Sequence, residues 1–203
     1  MSEKKLGLLF VVSAPSGTGK STLCQALLKE RADLVYSVSA TTRPARVSEV
    51  NGKDYFFVTV DQFKKKIDEG EFLEWALVHD HYYGTPRSFI DDQLARGADI
   101  LLDVDPQGAL AIQDKYPQCV SIFVYPPNWE SLERRLRTRG QDDEETIHKR
   151  LSNARHELTY LQHYNYLVVN NDIREAMNDF LAIIRAEHHR VCRYSEKFLC
   201  LTK

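Results

Sequence analysis

The chain has 203 residues, 43% of them hydrophobic and 28% charged, with a formal net charge of −2. That length can bury a full core in one domain, and the near-neutral balance excludes a protein devoted to the nucleic-acid backbone, which needs a large basic excess. No apolar run is long enough to span a bilayer, and Met1-Ser2-Glu3-Lys4-Lys5 lacks the form of a secretion signal. Four cysteines (Cys24, Cys119, Cys192, Cys200) show no zinc or C-x-x-C spacing, so reduced thiols in a cytoplasmic protein are expected. The seven histidines offer no H-E-x-x-H motif, and His188-His189 read as surface residues.

In chain order, the apolar run Leu8–Ser13 reads as a buried strand and Leu23–Leu28 as the start of a helix. Between them lies Ala14-Pro15-Ser16-Gly17-Thr18-Gly19-Lys20-Ser21-Thr22. Strand, glycine loop, lysine, hydroxyl and helix in that order make a phosphate-binding P-loop, with Ala14 where the usual pattern has its first glycine. Gly17 and Gly19 allow successive N–H groups to turn inward around a phosphate, and the helix N-terminus adds to that field. Lys20 would reach the β- and γ-phosphates of a nucleoside triphosphate, and the Ser21 hydroxyl would ligate Mg²⁺.

Residues 36–85 interrupt the alternation of strands and helices. They hold β-like segments at Tyr36–Thr42, Tyr55–Val60 and Phe72–Val78 around a short helix at Asp61–Glu69, which suggests a small mixed subdomain inserted into a larger sheet. Helical patterns follow at Pro86–Arg96, Gly108–Lys115, Trp129–Arg137 and Asp172–Arg190, the last with Asp172 as N-cap. They alternate with apolar runs at Ile100–Val104, Val120–Tyr125 and Tyr166–Val169. The expected fold is α/β: a parallel sheet covered on both faces, carrying the mixed insert and an arginine-rich helical segment at 129–160. Both excursions would rise from the carboxyl ends of strands, where ligands bind in open α/β folds. The expected division is a core of 1–36, 86–126 and 161–203, an acceptor subdomain of 37–85 and a lid of 127–160.

Within the insert, Arg43 and Arg46 lie beside Tyr55 and Tyr83, a suitable cage for a dianionic phosphate: guanidinium forks bind its oxygens and phenols donate further hydrogen bonds. Read singly, these residues would equally pass for solvated charges and core aromatics. Asp103 and Asp105 end the strand opposite the P-loop strand, in a Walker-B-like position. Asp103 is assigned with Ser21 to the metal, and both aspartates remain candidates on the acceptor side.

Ser39–Arg46, Gly52-Lys53-Asp54-Tyr55-Phe56-Phe57, Glu74-Trp75 and Tyr82-Tyr83-Gly84-Thr85 together resemble the acceptor-site pattern of guanylate kinases. The resemblance continues through Ile100–Gly108, Arg137–Gly140, Lys149-Arg150-Leu151 and Val169–Asp172, roughly residues 7–185. It implies a P-loop core that transfers the γ-phosphoryl group of MgATP to GMP. By resemblance, Arg43, Arg46, Tyr55 and Tyr83 hold the GMP phosphate, and Glu74 reads the guanine N1–H and N2–H₂ donors. Ser39 and Thr85 serve guanine O6, and Arg135 and Asn170 contact ATP. Arg139 and Arg150 act from the lid, with Arg43, on the moving phosphoryl group. No residue reads the ribose 2′-hydroxyl, so dGMP is an expected second acceptor. A sugar-phosphate kinase on the same scaffold would not need the guanine reader, and a non-catalytic interaction domain would not need an intact P-loop.

Overall fold

A computed structural model describes residues 6–78, 80–138 and 143–194. Its centre is a five-stranded, all-parallel sheet of order β2-β7-β1-β8-β9: β2 (Leu34–Tyr36), β7 (Asp99–Asp103), β1 (Leu9–Ser13), β8 (Val120–Tyr125) and β9 (Tyr166–Val169). Parallel strands need both faces covered, and the side chains of β1 show how. Phe10 and Val12 point to one side, where Leu23 and Leu27 of α1 (Lys20–Glu30) meet Phe180 and Ile184 of α7 (Ile173–His188). Leu9 and Val11 point to the other, against Ile90 of α3 (Arg87–Ala95) and Ala109 and Ile112 of α4 (Pro106–Lys115). The expected strands and helices of the core all form, with ends shifted by a residue or two, and Asp172 caps α7 through the amides of Arg174 and Glu175.

The insert is a second sheet of order β4-β3-β6-β5, with β3 (Ala40–Thr41), β4 (Phe56–Phe57), β5 (Phe72–Val78) and β6 (His81–Pro86) in mixed directions. Helix α2 (Val60–Asp68) closes one face with Phe63, which stacks on Phe72 and Tyr82. Two sequence expectations change here. The segment Tyr36–Thr42 divides, because Leu34–Tyr36 pairs with β7 in the core sheet and only Ala40–Thr41 joins the insert. The strand expected over Tyr55–Val60 ends at Phe57, because Thr59 and Gln62 form a reciprocal capping box that opens α2 at Val60. A third departure lies at the amino end of the core sheet. His188 is no isolated surface residue: its Nε2 stands 2.6 Å from the buried Asp99, which also accepts the Leu8 amide.

Helices α5 (Trp129–Thr138) and α6 (Glu144–Leu158) pack on each other through Leu132, Leu136, Ile147, Leu151 and Ala154, and Asp143 caps α6. Among the described residues no helix is long and apolar enough to cross a membrane. Cys24, Cys119 and Cys192 are free thiols, and Cys200 lies outside the described residues. Phe180 is fully buried with its ring 6.3 Å from Phe10, and so ties α7 to the sheet. Phe180→Ala should lower stability by about 3–5 kcal/mol; urea unfolding would show the midpoint fall with little change in slope.

Candidate functional site

Ala14–Gly19 leaves the carboxyl end of β1 and turns directly into α1, whose first residue is Lys20. Gly17 and Gly19 have φ of +91° and +89°, backbone that L side chains rarely adopt. A side chain at either would also have to displace a neighbouring side chain. A Cβ at Gly17 would stand 2.9 Å from Leu136, and one at Gly19 2.7 Å from Asn170. Thr18 folds its amide and hydroxyl back onto the Pro15 carbonyl at 3.2 and 2.9 Å. The Thr18 carbonyl is held from outside by Asn170 Nδ2 at 2.7 Å and Arg135 Nη1 at 3.0 Å, while Arg135 Nη2 donates to the Asn170 carbonyl. Arg135 and Asn170, expected on ATP, thus brace the loop in which ATP phosphates would sit.

The register of β1 with β7 sets Val12 beside Asp103. That brings the Asp103 carboxylate onto the Lys20 ammonium, which also donates to the Val104 carbonyl at 3.0 Å. Burial works against the lysine's charge, but Asp103, with a smaller contribution from Asp105, outweighs it, so the amine is held above its ordinary range. Ser21 and Asp103 line one cleft of about 670 Å³, together with Tyr36, Arg46, Glu49 and Tyr55. A hydroxyl and a carboxylate on one wall are hard oxygen donors that suit Mg²⁺, which keeps several of its waters. Asp105 is the N-cap of α4, its Oδ1 accepting the amides of Gln107 and Gly108 at 2.8 and 2.9 Å.

Across the cleft, Arg43 follows β3. Its guanidinium lies 5.5 Å from the Tyr55 ring centre and 5.9 Å from that of Phe57, and Tyr55 meets Tyr83 edge-on at 6.0 Å. The sequence reading missed Glu49, which binds both Arg43 nitrogens (2.8 and 3.0 Å) and the Arg46 amide (2.7 Å). This two-pronged contact chiefly holds Arg43 above, and Glu49 below, its usual value. An acidic residue in the same short loop as two arginines was the available signal. Arg46 is exposed on the cleft wall, and Ser39 is half-buried, its carbonyl accepting from Phe56.

Glu74 and Thr85 stand opposite each other in the β5–β6 ladder, and the buried Thr85 hydroxyl donates to Glu74 Oε1 at 2.6 Å. Glu74 is only 6% exposed. Burial is the main reason that its carboxyl is pushed up to about 7. Thr85 opposes that rise, Asp105 adds to it and Lys115 weakly opposes it.

From α6, Glu157 lines a cavity of about 240 Å³ with Asp105, Val78, Asn153 and His156; burial raises its carboxyl, and the nearby Ser16 amide works against that rise. Sequence spacing carried no sign of this proximity. Arg150 sits on α6, immediately before Leu151 and one turn before Ala154 of the helix-pair core, and Arg139 lies outside the described residues.

A buried parallel sheet, a glycine loop feeding a helix and a lysine paired with an aspartate on the neighbouring strand define a P-loop nucleotide-binding protein. The guanylate kinase family model matches residues 7–187. The chain is 49% identical over 199 residues to the guanylate kinase of Caldanaerobacter subterraneus subsp. tengcongensis, covering 98% of this chain and 97% of that one. It is 50% identical over 193 residues to the guanylate kinase of Salmonella typhi, covering 94% and 93%. The crystal structure of guanylate kinase from Anaplasma phagocytophilum superposes with a TM-score of 0.79 at 37% identity, over 94% of this chain and 90% of that one. The chain belongs to the guanylate kinase family.

The raised carboxyl of Glu74 has a consequence for folding. An acid whose folded value lies above its unfolded one opposes folding when ionised, so this cost is absent below pH 4.5 and complete above about 7. At pH 8, Glu74→Gln should therefore raise stability by on the order of 3 kcal/mol, and the gain should vanish near pH 4. Thermal melts at the two pH values check this, and an equal shift at both would refute the assignment.

Proposed function

We propose that the chain carries out the reaction of its family, transfer of the terminal phosphoryl group of MgATP to GMP to give ADP and GDP, with dGMP as a second acceptor. The observation that carries this reading is the pairing of an intact phosphate loop with a buried carboxylate–threonine pair across the cleft. Guanine offers N1–H and N2–H₂ side by side, which one carboxylate accepts together. Adenine has a lone pair at N1 and no 2-amino group, so Glu74 would be left buried and unpaired with the wrong base. Mismatches of that kind discriminate by about 10⁴. Ser39 would donate to guanine O6, Thr85 would do so only by turning its one hydroxyl proton away from Glu74, and Asp105 would border the acceptor.

Arg43, Arg46, Tyr55 and Tyr83 would hold the acceptor phosphate, with Arg43 exchanging Glu49 for the substrate's oxygens. That phosphate has its second pKa near 6 and is largely a dianion at neutral pH, so in-line attack needs no general base. Catalysis then rests on alignment and on cations that gather equatorial charge. Lys20 would leave Asp103 for the β- and γ-phosphates, which the amides of residues 16–22 would cradle, and Arg150 and Arg139 would approach from the lid. Ser21 and Asp103 would hold Mg²⁺ with its waters, and the ion supplies charge neutralisation between the phosphates. Arg135 and Asn170 would flank the donor nucleotide beyond the loop. We assign residues 37–85 to the acceptor subdomain and 127–160 to the lid, whose closure excludes water that would otherwise hydrolyse ATP.

ADP formation from MgATP with GMP, dGMP, AMP, CMP, UMP and ribose 1,5-bisphosphate tests the reading. Strong preference for GMP and dGMP is expected. Turnover of the sugar phosphate alone would overturn the acceptor assignment, and no turnover by folded protein would favour a binding domain. Lys20→Ala should lower kcat by about 10³-fold without unfolding the chain. The KM for GMP should rise as pH falls through 7, beyond the rise due to the phosphate's own titration near 6. Glu74→Gln should abolish the step near 7 and keep the one near 6.

A further inference from the structure

Helix α4 begins where β7 ends, and its first turn lies against the insert. Pro106, Gly108 and Ala109 are all buried there. The Gly108 amide donates to Asp105 Oδ1 at 2.9 Å, which fixes that turn. A Cβ on Gly108 would stand 2.8 Å from Glu74 Oε2 and 3.2 Å from its carboxyl carbon, with Val104 Cβ at 3.6 Å. Real Cβ contacts are not that short, so with any other residue either the helix or the carboxylate must move. The helix is the stiffer partner: Ala109 and Ile112, both fully buried, lock α4 into the core under β1 and β7. The carboxylate ends a flexible side chain held mainly by Thr85.

We infer that Gly108 is a positioning residue for base selection, the absence of its side chain making the seat in which the Glu74 carboxylate lies. The inference rests on Glu74 reading guanine, and it deepens that reading by placing part of the selectivity on a residue that touches no substrate. Gly108→Ala pushes the Glu74 oxygens off the line on which guanine's two donors meet them. The P-loop side, reached through Asp103 and Val104, keeps its contacts with Lys20.

A double-mutant cycle with steady-state kinetics separates this role from a general loosening of α4. Gly108→Ala should raise the KM for GMP about tenfold, equivalent to about 1.4 kcal/mol, and narrow the preference for GMP over IMP, which lacks the 2-amino group. The KM for ATP should stay within about twofold of its original value. In a Glu74→Gln background the same change should add less than twofold, because coupled residues do not add. An undiminished effect in that background, or an equal rise in the KM for ATP, would overturn the inference. If Glu74→Gln itself leaves the GMP preference intact, the guanine reading fails instead. Melting temperatures cover the case in which Gly108→Ala folds poorly. The loss should be largely restored by Glu74→Ala, which clears room for the new methyl group, and a loss that persists there would also refute the assignment.

Discussion

The parallel pairing of β1 with β7 is the constraint on which the site depends. Its register sets the end of the P-loop strand beside Asp103, and from that one alignment Lys20 acquires its carboxylate partner and the Val104 carbonyl. The same strand end releases α4, whose cap is Asp105 and whose first turn meets Glu74. The groups proposed for the donor and for the acceptor are therefore anchored to one six-residue stretch, 103–108. Since both faces of β1 and β7 are buried, a slip by one residue would turn every core side chain to the wrong face and break both sites together.

Charge is handled differently on the two sides of the cleft. The partly buried Lys20 is balanced by the adjacent Asp103 carboxylate, a role that a phosphate would take over in the proposed reaction. Arg43 likewise holds Glu49 in a two-pronged contact of the shape a phosphate would make. Glu74 has no cation of that kind close by. It is held by a hydroxyl in an apolar setting, which costs stability in its ionised form and makes it sensitive to what faces it.

The core was readable because its signals are local and redundant. Apolar runs at Leu8–Ser13, Val120–Tyr125 and Tyr166–Val169 have no amphipathic alternative, and the glycine loop separates strand from helix. The insert was read less well because its short strands are defined by partners far along the chain: Leu34–Tyr36 looks no different from Ala40–Thr41 until β7 claims it. For the site, residue types spoke and contacts did not. Arg43 could be singled out by residue type and Glu74 only through the family resemblance, but Glu49, the bracing of Thr18 by Arg135 and the proximity of Glu157 to Ser16 join residues that no spacing rule connects. The contact of His188 with Asp99 was hidden for the same reason, since the two lie 89 positions apart.

The bracing of the Thr18 carbonyl bears on product release. One of its two donors, Arg135, belongs to α5, while the other, Asn170, follows β9 in the core. Swinging α5 outward must break the Arg135 contact, and it also withdraws Leu136 from Gly17, so the loop loses support on two sides at once. In the proposed reaction, letting go of a nucleotide's phosphates and moving that helix would be one mechanical event, with the hold on the spent nucleotide set in part by how firmly α5 rests on the loop.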